Sequence, residues 1–487
     1  MMATSQPQTS DAVILIPGIM GSELVDATTG HILWGLSDPR WYVSAWTSGT
    51  SLAALRLTPE ERSGRYGRVR ATRLIRFPAF APVLAGLSPY DRLRKALRAV
   101  VWHPAAMAEF AYDWRLPIVH NAGLLAKFAH RHLESWHAHP AYAEGRARRH
   151  ASEKTDTPAR LTLVAHSMGG LLAWQACLNA DLAGQVRTTV TLGTPFFGAP
   201  KAVLMLGSGR GVALPRGRLH RLAVTLPGIY DLLPTYRCVT DGTTARRLTP
   251  SDVADLGGDP ELAADSLAMR QYGPSRPLMG HVQVVGMHQP TVQSVTLDRG
   301  SLATHQFTYR PFLDGMTCVD VGGDGTVPRE SAQLPPGPAI PVAQSHGAVA
   351  AAAEAVLVAQ DAVTDQHIGP WLGETRIGLD VPDVVQAGCP FQVGVTGVEL
   401  PTDVRCAVID LSSGLQVDAP SVQWRDGAIV ATGRPLPPGL YQVQANSGGM
   451  SPVTHMLLSA DLPQRSVHQP PDSTSEVCGT TRHERAR

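Results

Sequence analysis

The sequence predicts a doubly wound α/β sheet followed by a small all-β sandwich. Up to about residue 365, short apolar runs typical of buried strands alternate with segments whose apolar residues recur at helical spacing. After about residue 374, short segments of alternating polarity are separated by Gly, Pro, Asn and Asp, as in all-β domains. The 487 residues are enough for two or three domains with a large core.

The α/β part opens with a continuous apolar run at residues 13–16 that stops at Pro17-Gly18, as a buried parallel strand does. Further strands are predicted at residues 108–114, 161–164, 186–192 and 282–285, and helices at residues 89–101, 125–133 and 168–180. Two irregular stretches, residues 25–70 and 198–280, are expected to form cap or lid insertions over a site.

The second part of the chain is predicted to be an immunoglobulin-like sandwich. Its strands are expected at residues 376–381, 391–396, 404–410, 428–432 and 441–445. The step Pro438-Gly439-Leu440-Tyr441 resembles the late hairpin of bacterial immunoglobulin-like modules. The predicted domains are a flexible N-terminus (1–11), the α/β domain (12–370), the sandwich (374–461) and a disordered tail (462–487).

Composition excludes several classes of protein. With 42 basic and 41 acidic residues the net charge is +1, which gives no electrostatic reason to expect a nucleic-acid partner. The six cysteines form no CxxC pair or Cys/His cluster, so no zinc site is expected, although Cys389 and Cys406 could pair in an oxidising compartment. The N-terminus lacks the features of a secretory signal, and the apolar run at 12–16 is too short to span a bilayer. We therefore expect a cytoplasmic protein.

The strongest chemical signal is the segment LTLVAHSMGG at residues 161–170. An apolar strand runs into a small-residue turn around Ser167 and then into a helix, which is the setting of a nucleophile elbow. Ala165 and Gly169 stand at the two small positions that flank the serine, and the helix N-terminus favours negative charge near its hydroxyl. Ser167 is therefore the predicted nucleophile. A serine that merely caps a helix is the alternative.

A serine hydroxyl needs a base, and the base needs a carboxylate that follows the serine and precedes the histidine in the chain. Asp324, in the glycine-rich segment VGGDGTVP, is the predicted acid, and His346, before an alanine-rich helix at 348–358, is the predicted base. His281 and His288 precede Asp324 and would break this order, while His166 would point the other way off the turn.

The oxyanion hole requires two backbone N–H groups beside the nucleophile. Met168 follows the serine and supplies one. The loop after the first strand, Pro17-Gly18-Ile19-Met20-Gly21, supplies the other, from Ile19 or from Met20 if the loop is shifted by one residue.

Over about residues 12–362, the chain resembles the lecithin:cholesterol acyltransferase family of the α/β-hydrolase superfamily. The matching segments occur in the family's order and are VILIPGIMGSEL (13–24), FAYDWRLP (110–117), LVAHSMGG (163–170), TLGTPFFGAPKA (191–202), PGIYDLLP (227–234), GGDGTVP (322–328) and His346. The resemblance implies a Ser167–Asp324–His346 triad with Ile19 and Met168 as oxyanion donors. It also implies a lid at about 198–226. The YDWR segment at 112–115 matches a family signature, which we interpret as structural rather than catalytic.

Within residues 33–46, the resemblance also suggests that aromatic side chains face a membrane. The aromatics are Trp34, Trp41, Tyr42 and Trp46, for which the core of the cap is an equally good prediction. The chain departs from the secreted and lysosomal family members because it lacks a signal and their paired cysteines. The sandwich and the tail lie outside the resemblance.

The predicted function is a serine-dependent lipid esterase, phospholipase or O-acyltransferase that forms an acyl-enzyme on Ser167 and requires no metal or cofactor. The expected partners are a lipid or other ester substrate and, peripherally, a membrane surface, with a protein partner at the sandwich as a further candidate. The alternative is an interaction or regulatory protein that keeps the hydrolase fold and recruits a partner through its sandwich.

Overall fold

A computed structural model describes most of the chain. The described residues are 8–35, 50–75, 90–153, 157–210, 216–270, 277–298, 301–312, 315–335, 337, 339–366, 376–448 and 451–461. The predicted disordered tail and the aromatic residues Trp41, Tyr42 and Trp46 lie outside them. Residues 8–11, which the sequence assigned to a flexible N-terminus, are held in place: Thr9 pairs with Val101, and Asp11 forms an ion pair with Arg187.

Six parallel strands form the central sheet. In chain order they are β1 (Ala12–Ile16), β2 (Met107–Glu109), β3 (Leu161–His166), β4 (Val186–Leu192), β5 (His281–Met287) and β6 (Ala339–Ala343). Their spatial order is β6-β5-β4-β3-β1-β2, and every neighbouring pair is parallel. From β1 the chain passes to β2 on one side, and it then returns to β3 on the other side of β1. The strands β4, β5 and β6 follow outward from β3. The carboxyl ends of β1 and β3 therefore meet at the switch point where α/β sheets bind their ligands.

Helices cover this sheet. They are Asp91–Val100, Ile118–His137, Pro140–Glu153, α1 (Met168–Ala176), Ala180–Gln185 and α2 (Ala353–Val363). The helix Ile118–His137 packs on α1, and Asp91–Val100 packs on α2. In Asp91–Val100 the buried residues are Leu93, Leu97 and Val100, the helical stripe that the sequence predicted. The predicted α/β fold class is confirmed.

Two predicted elements have different bounds in the structure. The strand predicted at 108–114 ends at Glu109, because the chain turns at Trp114 and Arg115 to bury both side chains. The helix predicted from residue 348 begins at Ala353, because Ala352 has an extended conformation and residues Val349–Ala351 form a separate 3₁₀ turn.

The first insertion forms a small antiparallel sheet beside the carboxyl end of β1. Its strands and helices are Ser22–Asp26, Ile32–Trp34, Val69–Leu74, Thr50–Ala54 and Pro59–Arg62. The Trp34 side chain is buried, and its indole N–H donates to the carbonyl of Met20 at 2.9 Å. Trp34 therefore belongs to the core of the cap and does not face a membrane.

The second insertion is mostly helical and includes one pair of antiparallel strands. Its elements are helices Pro200–Gly207, Arg216–Ala223, Pro227–Tyr230, Pro250–Asp255 and Pro260–Arg270, and strands Arg237–Thr240 and Ala245–Arg247. Four further strands follow β5: Ser294–Asp298, which pairs with Arg237–Thr240, and Ser301–His305, Thr308–Phe312 and Gly315–Val319. Throughout the described residues, no helix combines the length and the apolar character that crossing a membrane requires.

The C-terminal part is a sandwich of two sheets, as predicted. Its strands are β7 (Gly378–Asp380), β8 (Val384–Gln386), β9 (Phe391–Thr396), β10 (Arg405–Asp410), β11 (Gln416–Asp418), β12 (Ser421–Arg425), β13 (Ala428–Gly433), β14 (Gly439–Asn446) and β15 (Val453–Ala460). One sheet has the order β7-β9-β13-β12 and the other β8-β15-β14-β10-β11. Alternate residues such as Val393 of β9 and Val443 of β14 fill the core between them.

The sequence missed four sandwich strands: β8, β11, β12 and β15. The first two have three residues each, which is too few to show an alternation of polar and apolar residues. β15 is buried along most of both faces, so its polar residues Thr454, His455 and Ser459 do not alternate with apolar residues at a period of two.

Candidate active site

Ser167 lies in a sharp turn between β3 and α1, at the switch point of the central sheet. Its φ is 52° and its ψ is −127°, a conformation that residues with a side chain rarely adopt. The turn leaves no room around the serine. A Cβ at Gly169 would lie 2.5 Å from the Pro17 carbonyl oxygen, and one at Gly170 would lie 1.9 Å from Thr194 Oγ1. This close packing is the physical reason for the small residues that identified the turn in the sequence.

The structure brings the three predicted residues Ser167, Asp324 and His346 together. His346 Nε2 lies 2.8 Å from Ser167 Oγ, and His346 Nδ1 lies 2.7 Å from Asp324 Oδ2. Because a carboxylate only accepts, Nδ1 carries the proton, and Nε2 is left to accept the serine O–H. All three side chains are buried. The arrangement can move a proton from the serine to the imidazole, which the carboxylate orients.

A tight loop aims the Asp324 carboxylate. Its Oδ1 accepts from the N–H groups of Thr326 and Val327, so Oδ2 is left to face His346. The backbone joins the same two loops, since the His346 N–H donates to the Asp324 carbonyl at 2.8 Å. The acid and the base are therefore fixed to each other by two separate hydrogen bonds.

His166 and Tyr90 form a second buried network behind the triad. His166 Nε2 lies 3.0 Å from the His346 carbonyl, which can only accept, so His166 carries its proton on Nε2. Its Nδ1 must then accept from the Tyr90 hydroxyl, 3.0 Å away, and the Tyr90 oxygen accepts the N–H of Gly18 at 2.9 Å. This chain of bonds links the loop after β1 to the histidine loop.

Electrostatics keep this second network neutral. Burial, with a smaller contribution from the nearby His346, lowers the pKa of His166 from 6.5 to about 3. Burial also raises the pKa of the Tyr90 phenol, against the hydrogen bond from Gly18. As the sequence suggested, His166 turns away from the serine hydroxyl; the partners that it finds there were not predicted.

The loop after β1 closes over Ser167 as the oxyanion prediction requires. A Cβ at Gly18 would lie 2.9 Å from Ser167 Cβ, and Met20 has a positive φ of 61°. Within the described part of the chain, the N–H groups of Ile19 and Met20 donate to no carbonyl or side chain. Either one can therefore bind an anionic oxygen, and the two positions that the sequence left open remain candidates alongside Met168.

The triad opens into a narrow, mostly apolar cleft beneath the second insertion. Its lining includes Ile19, Met20, Pro195, Ala199, Ala202, Met205, Leu232 and Val327, together with Lys201 and Thr326. The open volume is about 30 Å³, room for about one or two water molecules. A wider cleft of about 560 Å³ lies beside β5 and β6, but none of its lining residues is a triad member. The volume of the cleft therefore does not identify this site. The hydrogen-bonded groups of the triad identify it.

The YDWR signature is buried in the interior of the fold, as the structural reading of residues 112–115 proposed. The Arg115 guanidinium has no exposed surface and forms ion pairs with Asp113 at 2.7 Å and Glu61 at 2.9 Å. Burial alone would raise the pKa of Glu61, but hydrogen bonds from Thr58 and Arg115 hold it below its ordinary value. The network joins the first insertion to the sheet and does not touch the triad.

Among the described residues, no three His, Cys, Asp or Glu side chains are grouped so that they could hold a metal ion.

Residues 83–252 match the family model described as lecithin:cholesterol acyltransferase. The match covers the segments around Tyr112, Ser167 and Lys201, but not Asp324, His346 or the loop after β1. It confirms the resemblance drawn from the ordered motifs and supports, in general terms, a lipid hydrolase or acyltransferase. A comparison with curated proteins gives no match.

Among solved structures, a chain of the Tle4–Tli4 complex is 14% identical, with a TM-score of 0.44, over 74% of this chain and 99% of that one. The mature lipase BlEst2 from Bacillus licheniformis is 12% identical over 72% and 88%, with a TM-score of 0.31. Phospholipase PlaB from Legionella pneumophila is 9% identical over 95% and 97%, with a TM-score of 0.23. These values are too low to carry any conclusion about activity.

Proposed function

We propose that this chain is a serine-dependent lipid esterase, phospholipase or O-acyltransferase that works through an acyl-enzyme on Ser167. The observation that carries the proposal is the continuous hydrogen-bonded series from Ser167 Oγ through His346 to Asp324, at 2.8 and 2.7 Å. The three groups come from loops far apart in sequence, and they meet at the switch point of the sheet.

The reaction begins when His346 Nε2 takes the proton of Ser167 as the serine oxygen attacks the ester carbonyl. The Asp324 carboxylate stabilises the imidazolium that forms and holds the ring in its reactive tautomer. His346 then returns the proton to the leaving alcohol as the tetrahedral intermediate collapses. Water or a second alcohol attacks the acyl-serine, with His346 again acting as the base, and Ser167 is released.

The negative charge of the tetrahedral oxygen is assigned to the backbone N–H groups of Met168 and Ile19, with Met20 as the alternative in the same loop. Met168 is the first residue of α1, so its N–H points out of the helix and the helix dipole favours the anion. The loss of one such donor typically costs about 10²–10³ in kcat.

The apolar cleft supports an acyl chain as the group bound beside Ser167. Met205, Leu232 and Val327 offer a surface that would bury methylene groups, while the ammonium of Lys201 lines the same cleft. Since the cleft is too narrow for such a chain, substrate entry requires the side chains of the second insertion to move apart.

Replacement of Ser167 tests the proposal directly. We expect Ser167→Ala to lose release of a short-chain p-nitrophenyl ester by about 10⁴-fold or more, because no other group can form the acyl-enzyme. Ser266→Ala removes another buried serine hydroxyl, one that bonds the Tyr230 carbonyl, and should retain turnover. Equal turnover by Ser167→Ala and the wild type would refute the proposal.

Lipid products distinguish hydrolysis from acyl transfer. The wild type and Ser167→Ala are incubated with phosphatidylcholine vesicles, with and without an added long-chain alcohol, and the lipids are analysed by mass spectrometry. Free fatty acid alone indicates that water accepts the acyl group, whereas a new ester of the added alcohol indicates transfer. Both products should be missing with Ser167→Ala.

A further inference from the structure

The C-terminal sandwich reaches into the loop that carries His346. Gln344, directly after β6 and 2% exposed, binds the backbone at the start of β15 in two places. Its Nε2 donates to the Pro452 carbonyl at 2.9 Å, and its Oε1 accepts the N–H of Thr454 at 3.0 Å. Since Pro452 offers an acceptor and Thr454 a donor, the two bonds also fix the orientation of the amide.

Ser345 adds a third bond to the same stretch of strand. Its hydroxyl donates to the Thr454 carbonyl at 2.6 Å, and its N–H donates to Gln344 Oε1 at 3.0 Å. β8 pairs with β15 only beyond this point, at Leu458–Ala460. The side chains of Gln344 and Ser345 therefore take the place of a neighbouring strand along the first part of β15.

The loop that carries Asp324 is attached to the other sheet of the sandwich in the same way. Gln289, also 2% exposed, accepts the N–H of Leu379 at 3.1 Å and donates to the carbonyl of Ile377 at 3.1 Å. Its own backbone N–H donates to the Gly323 carbonyl at 2.9 Å, next to the acid. One glutamine thus connects β7 to the acid loop, while another connects β15 to the base loop.

Two further contacts reach the same region from the residues around β15. The Ser451 hydroxyl accepts the N–H of Ala353 at 3.0 Å, at the start of the helix that follows His346. The His455 ring lies against Gly325 in the acid loop, since a Cβ at that glycine would be 3.7 Å from His455 Nε2. Buried amide groups that lose such partners pay a desolvation penalty, so these contacts hold the loops in one arrangement.

From these contacts we propose that the sandwich is part of the catalytic apparatus, and that Gln344 and Gln289 are positioning residues through which it holds His346 and Asp324 in register with Ser167. The inference rests on the proposed function of the triad. It assigns to the sandwich a role inside the enzyme rather than recruitment of a separate partner.

The chain contains a matched control for both glutamines. Gln283, in β5 and 1% exposed, also binds backbone in two places with its amide: it accepts from Leu334 N and donates to Leu334 O. Its partners lie in the α/β domain and not in the sandwich. Gln→Met at each position keeps the volume and removes the hydrogen bonds, so the three variants lose comparable buried contacts.

The experiment compares Gln344→Met, Gln289→Met and Gln283→Met in the full-length chain, with steady-state kinetics on a p-nitrophenyl ester. We expect kcat to fall about 10- to 100-fold in the first two with KM changed little, because a misplaced base or acid acts on the reacting geometry. Gln283→Met should change neither quantity.

Hydrogen exchange at the His346 amide provides a readout that does not depend on activity. This N–H donates to the Asp324 carbonyl, so its protection reports how firmly the two loops are joined. Faster exchange in Gln344→Met than in Gln283→Met supports the proposal even if the wild type hydrolyses no ester. Active wild type with Gln344→Met and Gln283→Met indistinguishable in kinetics and exchange would overturn the proposal and leave the proposed function standing.

Discussion

The residues around Ser167 combine a strained backbone with a network of buried hydrogen bonds. Ser167 and Met20 both have positive φ angles, of 52° and 61°, on facing loops at the ends of β3 and β1. Such conformations cost about 1–3 kcal/mol each and persist only where the surroundings enforce them. Here the Tyr90 hydroxyl does so, because it connects Gly18 in one loop to His166 beside the serine.

Only some of the residues of this site could be predicted from the sequence. Ser167, Asp324 and His346 could be predicted because each stands in a local pattern, and the order of the three in the chain is restricted. Tyr90 could not be predicted, because its contact spans 76 positions and a tyrosine before a helix carries no signal of its own.

The Tyr90 hydroxyl is expected to support catalysis without touching the substrate. Tyr90→Phe leaves the Gly18 N–H without its acceptor, so the loop after β1 should loosen and kcat should fall about 10- to 100-fold. Tyr142→Phe is the matched control, because its buried hydroxyl accepts the Ala159 N–H away from the site. Steady-state kinetics and thermal unfolding check both variants, and equal kcat values for the two would contradict the role assigned to Tyr90.

His166 is expected to make the fold sensitive to acid. Its pKa of about 3 in the folded protein lies below the ordinary 6.5, so between these values the unfolded chain binds a proton that the folded chain does not. Stability present above pH 6.5 is therefore lost as the pH falls towards 3, by about 5 kcal/mol at full extent.

His166→Gln keeps a donor and an acceptor but cannot titrate, so its stability should fall less steeply with acid. Urea unfolding of both proteins at several values between pH 4 and pH 7 measures the difference in slope. Parallel curves for the wild type and the variant would show that His166 does not contribute.

At the scale of elements, the segment after β2 is determined by buried charge and not by its apolar residues. The sequence suggested that the strand continues to Trp114, because the aromatic residues of FAYDW read as a strand. Instead the chain turns so that Arg115 meets Asp113 and, across the first insertion, Glu61. A partner 54 positions away decides the conformation, and local pattern carries no information about it.

Removal of Arg115 should destabilise the protein without changing the chemistry of the triad. Arg115→Met leaves the buried Asp113 carboxylate without its cation and Glu61 with Arg68 as its remaining partner, which costs about 3–5 kcal/mol. Arg94→Met, which removes a more exposed arginine paired with Asp91, should cost about 1 kcal/mol or less. Denaturant unfolding measures both, and a loss for Arg115→Met no larger than for Arg94→Met would contradict this account of the signature.

For the whole molecule, the sequence predicted both fold classes but not the contacts between the α/β part and the sandwich. Hydrophobic periodicity reports which face of an element is buried, and it identified five of the six described strands of the central sheet and five of the nine described strands of the sandwich. The contacts between the domains run from side-chain amides of Gln289 and Gln344 to backbone atoms of the sandwich. Backbone N–H and C=O groups are common to nearly all residue types, so the sequence does not indicate which of them a side chain will bind. These contacts are therefore seen only in the structure.

The central claim, that Ser167 is an activated nucleophile, is tested most directly by a fluorophosphonate probe followed by mass-spectrometric mapping of the adduct. The phosphonyl group is captured only by a serine whose proton a neighbouring base removes. We expect a single adduct at Ser167 in the wild type, slow labelling in His346→Gln and none in Ser167→Ala. A folded wild-type protein without an adduct at Ser167 would contradict the account and favour a hydrolase fold kept for interaction.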